Sequence, residues 1–186
     1  MTRKSMDSNE TPPESSKDMS SSKPPVIDAP APAFDLPATG GADISLASLR
    51  GRHVVLWFYP RDATPGCTSE SQDFRDQAEA FDALGASIVG CSQDSIASHE
   101  KFKSKQAMPF ALVSDEAGDL CRAYDVLKEK QMYGKRFIGI ERSTFLIDPD
   151  GVLRRAWRKV KVPGHVDAVL DAVRELASGG VQPPTR

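Results

Sequence analysis

The sequence predicts an α/β fold, a central mixed β-sheet flanked by helices. Three observations carry that reading. The run Val54-Val55-Leu56-Trp57-Phe58-Tyr59 is apolar, β-branched and aromatic without alternation, the pattern of a strand buried on both faces. Strand-like and helix-like segments then alternate as far as Tyr124. Last, two apolar runs around Asp148-Pro149-Asp150-Gly151 and an amphipathic stretch close the chain as a hairpin and a helix.

Each element has its own signal. Residues 1–30 are rich in Ser, Pro, Lys, Asp and Glu and lack aromatic residues, so they read as a disordered N-terminal extension. They have no apolar core for a secretory signal, and Asp7, Glu10, Glu14 and Asp18 suit a transit peptide poorly. Residues 31–178 form one domain, and residues 179–186 a frayed tail. Ala31–Leu36 and Ile44–Leu46 flank Gly40-Gly41 as a small hairpin. Ser45–Leu49 is a single helical turn ending before Gly51. A helix runs from Thr64 to about Leu84 and stops at Gly85. Ala86–Ser92 is the next strand. A helix follows from Asp94 or Ser95, carrying Ile96, His99, Phe102 and Lys103. Pro109–Ser114 is a third strand, and Asp115 or Gly118 opens a short helix with Leu120, Cys121 and Tyr124. Lys128–Gly139 is polar and contains glycine, which predicts a long surface loop. Ser143–Ile147 and Val152–Trp157 are the hairpin strands. In the last helix Val166, Val169, Leu170, Val173 and Leu176 share one face.

Composition excludes several classes. A formal net charge of −2 argues against a protein built around nucleic acid or an anionic membrane. The basic cluster Arg154–Lys161 around Trp157 reads as a solvated strand and its exit loop. No apolar run reaches the about 18 residues of a membrane span. The three cysteines, Cys67, Cys91 and Cys121, form no Cys-x-x-Cys, and His53, His99 and His165 are scattered. Neither a zinc ribbon nor a disulfide scaffold is supported, and no metal or cofactor is expected. The reading is a reducing, cytoplasmic setting.

Chemistry concentrates where the central strand meets the first long helix. Thr64 is a suitable N-cap, and Pro65 then falls at the first helical position, where its missing N–H costs nothing. Cys67 becomes the third helical residue. An anionic sulfur there meets free backbone N–H groups and the positive end of the helix dipole, the environment of reactive cysteines. Strand–helix junctions of α/β domains are also where sites sit. Glu70 and Asp73, in the first turns, read as acids that complement the dipole.

These residues carry a resemblance. Pro60-x-x-x-Thr64-x-x-Cys67 resembles the peroxidatic-cysteine signature of the peroxiredoxins. Phe58-Tyr59-Pro60, Thr64-Pro65-Gly66-Cys67-Thr68-x-Glu70 and Phe74-Arg75-Asp76 together resemble the subgroup called bacterioferritin comigratory protein or peroxiredoxin Q. The likeness runs from about Ala31 to Ala177. It implies a thioredoxin-like fold, which the element order also suits. It implies a thiol peroxidase that reduces hydrogen peroxide and organic hydroperoxides, needs no cofactor of its own and is reduced by thioredoxin, glutaredoxin or another thiol. The subgroup leans towards monomers.

The resemblance also assigns roles. Ile140-Glu141-Arg142-Ser143-Thr144-Phe145-Leu146 is similar to the strand in which peroxiredoxins place an arginine, so Arg142 would stabilise the thiolate and bind a peroxide oxygen. Thr64 would help hold the peroxide, and Pro60 would shield the sulfur. Thioredoxins have a cis-proline at the corresponding strand start, and none stands here. This subgroup commonly resolves its sulfenic acid with a cysteine at positions that match Gln72 or Lys103, and both lack the thiol. Cys121 and Cys91 remain as possible resolving residues, and a one-cysteine enzyme is the leading expectation. The alternatives are a redox sensor and a thiol–disulfide oxidoreductase on the same fold.

Overall fold

The computed structural model describes residues 23–179. The expected disorder of residues 1–22 and the expected fraying beyond Gly179 lie outside the described residues. The chain forms β1 (Asp35–Pro37), β2 (Asp43–Ser45), a 3-10 turn (Ala47–Leu49), β3 (His53–Phe58), α1 (Pro65–Ala83), β4 (Ala86–Ser92) and α2 (Ile96–Gln106). It continues through β5 (Ala111–Ser114), α3 (Asp119–Ala123), β6 (Leu127–Met132), β7 (Lys135–Ile140), β8 (Ser143–Ile147), β9 (Leu153–Trp157) and α4 (His165–Ser178).

The central sheet has the order β5-β4-β3-β8-β9. Strand β3 lies in the middle, parallel to β4 and antiparallel to β8, so the sheet is mixed as the sequence predicts. Every residue of β3 is buried, which explains its unbroken apolar run. Its alternate side chains feed two cores. Val55, Trp57 and Tyr59 pack with Phe74 and Phe81 of α1, Phe102 of α2, and Val166, Val169 and Val173 of α4. Val54, Leu56 and Phe58 pack on the other face with Cys91, Val113, Leu120, Cys121, Tyr124 and Ile140. Strand β4 carries Gly90 opposite Trp57 because a Cβ there would lie 2.9 Å from the indole and 2.6 Å from Leu112. The glycine lets the large ring lie against the sheet under α1.

Two segments differ from expectation. Order begins before residue 31: Asp28 N donates to Leu153 O at 2.7 Å, and Leu153 N donates back to Ala29 O at 3.0 Å. Arg154 also pairs with Asp28 at 2.8 Å, so residues 28–30 lie along β9 although their composition reads as extension. The expected surface loop Lys128–Gly139 is instead the β6–β7 hairpin, paired from Leu127↔Ile140 to Met132↔Lys135. Its two-residue turn, Tyr133-Gly134, has φ of 52° and 77°, the geometry of a tight hairpin connection. The strands are polar because most of the hairpin stands in solvent, so neither face shows the alternation that marks a half-buried strand.

The basic stretch after β8 is spent inside the chain. Arg154 pairs with Asp28 and Asp148, Arg155 with Glu175, and Arg158 donates to Tyr124 O and Asp125 O. No helix of the described residues is long and apolar enough to cross a membrane.

Candidate active site

Strand β3 ends at Phe58, and Tyr59–Thr64 carry the chain into α1. Ala63 takes a left-handed conformation, φ 61°, to make the turn. Thr64 occupies the N-cap position with extended geometry, and Pro65 starts the helix. The Thr64 side chain does not cap, however. Its hydroxyl donates to Arg61 O at 2.9 Å, holding the loop rather than the helix end. A side-chain cap is worth about 1 kcal/mol. Burial of Phe74 and Phe81 contributes about 1.5–3 kcal/mol each, so packing on the sheet orients α1.

Cys67 is the third helical residue, and its side chain is fully buried. The first helical bond runs from Thr68 N to Thr64 O at 2.9 Å. Helix geometry therefore leaves the Gly66 and Cys67 N–H groups without intrahelical acceptors at the sulfur's end of the helix. Arg142 comes from the other side of β3. It directly precedes β8, whose Ser143 pairs with Phe58. That register carries the guanidinium to the end of β3, where Nη2 donates to Cys67 Sγ at 3.3 Å. Its backbone is held by Val160 N on Arg142 O at 3.0 Å. Gly66 leaves room for it, since a Cβ there would lie 3.0 Å from Nη2.

Glu70 departs from its reading as a dipole-complementing acid. Its side chain is fully buried, and Oε2 accepts from Arg142 Nη1 at 3.3 Å. Burial pushes its carboxyl up to about 7, partly offset by the Arg142 charge and hydrogen bond. Oε1 has no hydrogen-bond partner among the described residues. The spacing Cys67, Glu70, Phe74 places all three on the inward helical face, a signal legible in the sequence. Asp73 is only half-buried and its carboxyl is raised by burial, then by Asp76 and Asp167.

A second cluster holds the loop before the helix, and sequence reasoning missed it. Asp62 accepts from Tyr59 OH at 2.6 Å and Ser98 Oγ at 2.7 Å, and meets His99 Nδ1 at 2.8 Å. Asp62 N donates to Asp94 Oδ2 at 2.9 Å, and His99 Nε2 contacts Val113 O at 3.0 Å. Burial works to raise the Asp62 carboxyl, but the hydrogen bonds from His99, Tyr59 and Ser98 outweigh it and hold it below the usual range. Burial, then Asp62, pushes the Tyr59 phenol far up, so it stays a donor. Pro60 sits half-buried in this pinned loop.

The other cysteines lie elsewhere. All three are free thiols. Cys91 on β4 and Cys121 on α3 belong to the core on the face of the sheet opposite Cys67. Their sulfurs and the Asp115 carboxylate lie within 4.8 Å of one another, and burial followed by Cys121 pushes the Cys91 thiol well up. The structure thus brings Cys67 and Arg142 together, sets Thr64 and Pro60 in the adjoining loop, and keeps Cys91 and Cys121 apart from them.

A buried thiol at a helix N-terminus, hydrogen-bonded by an arginine from the neighbouring antiparallel strand, defines a cysteine-based redox enzyme of thioredoxin-like fold. The chain belongs to the AhpC/TSA family, whose model matches residues 27–156, and within it to the peroxiredoxins of the bacterioferritin comigratory protein or peroxiredoxin Q subgroup. It is 53% identical over 154 residues to the peroxiredoxin Bcp of Xanthomonas campestris pv. campestris, covering 82% of this chain and 96% of that one. It is 47% identical over 147 residues to peroxiredoxin Bcp of Bacillus subtilis, covering 79% and 94%. The solved structure of Xanthomonas campestris peroxiredoxin Q superposes with a TM-score of 0.76 at 49% identity, covering 81% of this chain and 99% of that one. A second solved structure, of the Xanthomonas campestris bacterioferritin comigratory protein, concerns alkyl peroxide reduction and gives a TM-score of 0.74 at 51% identity, covering 77% and 92%. The chain is accordingly a thiol peroxidase, as the resemblance implies.

Proposed function

We propose that this enzyme reduces hydrogen peroxide and alkyl hydroperoxides through Cys67 in a one-cysteine cycle completed by an external thiol, from thioredoxin, glutaredoxin or a similar protein. One observation carries the reading: Arg142 Nη2 meets Cys67 Sγ at 3.3 Å, while the other two cysteines lie across the sheet. The related structure concerned with alkyl peroxide reduction supports the substrate class.

The Cys67 thiolate attacks one peroxide oxygen. The O–O bond breaks, an S–O bond forms, and the leaving oxygen departs as alkoxide or hydroxide and takes up a proton. Negative charge shifts from sulfur to the leaving oxygen. Arg142 and the Cys67 N–H stabilise that shift and hold the two oxygens in line, while the Thr64 hydroxyl, which donates to Arg61 O, accepts from the hydroperoxide O–H. Pro60 shields the sulfur from water. Glu70 buttresses Arg142 and keeps its fork aimed at the sulfur. The sulfenic acid then reacts with an external thiol to give a mixed disulfide and water, and a second thiol releases Cys67. Three free thiols suit a reducing, cytoplasmic setting, and the working unit is a monomer.

Steady-state peroxide consumption with dithiothreitol and with thioredoxin tests this. Wild type turns over many times with each, and Cys67→Ser is inactive. Full activity in that variant, or consumption of a single equivalent by wild type, would refute the proposal.

A further inference from the structure

The β6–β7 hairpin is the part of the fold that the reaction leaves unexplained. It forms its own two-stranded sheet, and only its base, Leu127 and Ile140, joins the core. Among the described residues the exposed large apolar side chains are Val26, Ile27, Met132, Tyr133, Phe137 and Ile138, and the last four belong to this hairpin. Tyr133, at the turn, is 97% exposed. Exposed apolar groups gathered this way mark interaction surfaces.

The pairing register sorts the side chains into two faces. Lys128, Lys130, Met132, Lys135, Phe137 and Gly139 share one. It bears three cations and no anion, with Phe137 and Met132 among them. Phe137 and the Lys130 stem lie over Gly139, where a Cβ would come within 3.2 Å and 3.3 Å of them. Lys128 pairs with Asp125 at 3.0 Å, whereas Lys130 and Lys135 have no ion pair among the described residues. On the opposite face Arg136 is matched by Glu129 at 3.6 Å. The hairpin also adjoins the site. Lys130 Nζ donates to Ile140 O, and the chain continues from Ile140 through Glu141 to Arg142.

We propose that the Lys130, Met132, Lys135 and Phe137 face of this hairpin docks the protein thiol that reduces oxidised Cys67, and that this partner presents acidic groups around an apolar contact. The inference rests on the external-thiol cycle above. Cys67 Sγ is fully buried and has no partner cysteine on its side of the sheet. A protein thiol must therefore be held beside the site while the site opens. The covalent steps balance. The partner's thiolate attacks the sulfenic sulfur, and the S–O bond is replaced by a disulfide as water leaves. The partner's second thiol then displaces Cys67, so the partner's dithiol supplies both electrons. Unmatched cations on the docking face select an acidic partner and speed its arrival.

The test uses the full chain with reduced thioredoxin and, in parallel, dithiothreitol. Phe137→Ser with Lys135→Glu raises the KM for thioredoxin about tenfold and leaves dithiothreitol-driven turnover unchanged. Added salt raises the wild-type KM for thioredoxin and changes the variant's less. If the wild type turns over with both reductants and the variant's KM is unchanged, the docking face is wrong while the cycle stands. Turnover with dithiothreitol but with neither thioredoxin nor glutaredoxin removes the external-protein-thiol reading and the docking face together. A variant that loses both activities equally places the hairpin in the fold rather than the interface. If the substitutions instead convert a dimer to a monomer at unchanged KM, a second copy is the occupant and the proposal falls.

Discussion

Glu70 is the residue whose setting most constrains the site. It shares the buried face of α1 with Cys67, and its carboxylate reaches Arg142 at 3.3 Å. Its folded pKa is raised from 4.5 to about 7, so the folded state holds the proton more tightly than the unfolded chain. That contribution to stability is complete below about 4.5 and is lost as pH rises through 7. At 1.36 kcal/mol per unit the loss is about 3 kcal/mol. Glu70→Gln cannot ionise, so urea titrations should show its stability relative to wild type rising by about that amount between pH 4.5 and pH 8. A constant difference across that range would show that Glu70 titrates normally. Gly66 makes the neighbouring argument by steric means. Its Cβ-free edge faces Arg142 Nη2, which is already committed to Cys67 and Glu70. Gly66→Ala gains helix propensity of about 0.5–1 kcal/mol while pushing the guanidinium off the sulfur. The expected outcome is an unchanged or higher melting temperature with a several-fold lower rate constant for peroxide, read by stopped-flow fluorescence of the protein's tryptophans. A variant with wild-type peroxide kinetics would show that the arginine tolerates the shift.

At the scale of elements, the β3–α1 connection is held by hydrogen bonds rather than by packing. Asp62 gathers Tyr59 from the end of β3, and Ser98 and His99 from α2, while its own N–H is tied to Asp94. Asp62→Ala leaves these buried groups without their shared acceptor. It should cost about 3 kcal/mol at pH 7 by denaturant midpoint, with slower peroxide attack because Thr64 and Pro60 lose their support. The Asp62 carboxyl is held below its ordinary value, so its stabilisation is present above about pH 4 and disappears on further acidification. Equal stability of variant and wild type at pH 7 would remove the network from the account. Sequence reading reaches the two elements but not this link. The unbroken apolar run marks β3, and Thr-Pro-Gly-Cys marks the start of α1, because both signals are local. Asp62 and His99 are far apart in the chain, and neither breaks a local pattern. Arg142 is farther still from Cys67, 75 residues along the chain, and is legible only through a family-like motif. The β6–β7 hairpin escaped because its strands bury little. Its only local sign is Tyr133-Gly134, a turn whose first residue has no β-branch and no special backbone preference.

Across the whole molecule, the central sheet acts as a partition between thiols. Cys67 belongs to the core beneath α1, α2 and α4, and Cys91 with Cys121 to the core on the other face. The partition passes through β3, the middle strand, which is paired along its length on both sides. A disulfide needs Cα atoms within about 7 Å and converging Cβ vectors. Unwinding the first turn of α1 would free Cys67 towards solvent but leave the sheet in place. Cys91 and Cys121 are fully buried with Leu56, Phe58 and Tyr124 on the opposite face, so joining Cys67 to either would also require that core to open, at a large part of the about 5–15 kcal/mol that typically holds a fold. One equivalent of peroxide should therefore oxidise Cys67 alone. Peptide mass spectrometry after rapid alkylation should find one added oxygen on the Cys67 peptide, or its trapped adduct, with Cys91 and Cys121 unmodified. The double variant Cys91→Ser with Cys121→Ser should keep wild-type turnover with dithiothreitol. A peptide linking Cys67 to Cys91 or Cys121 in most molecules would show that this core opens during the cycle, and the external thiol would then be reducing an internal disulfide instead of the sulfenic acid.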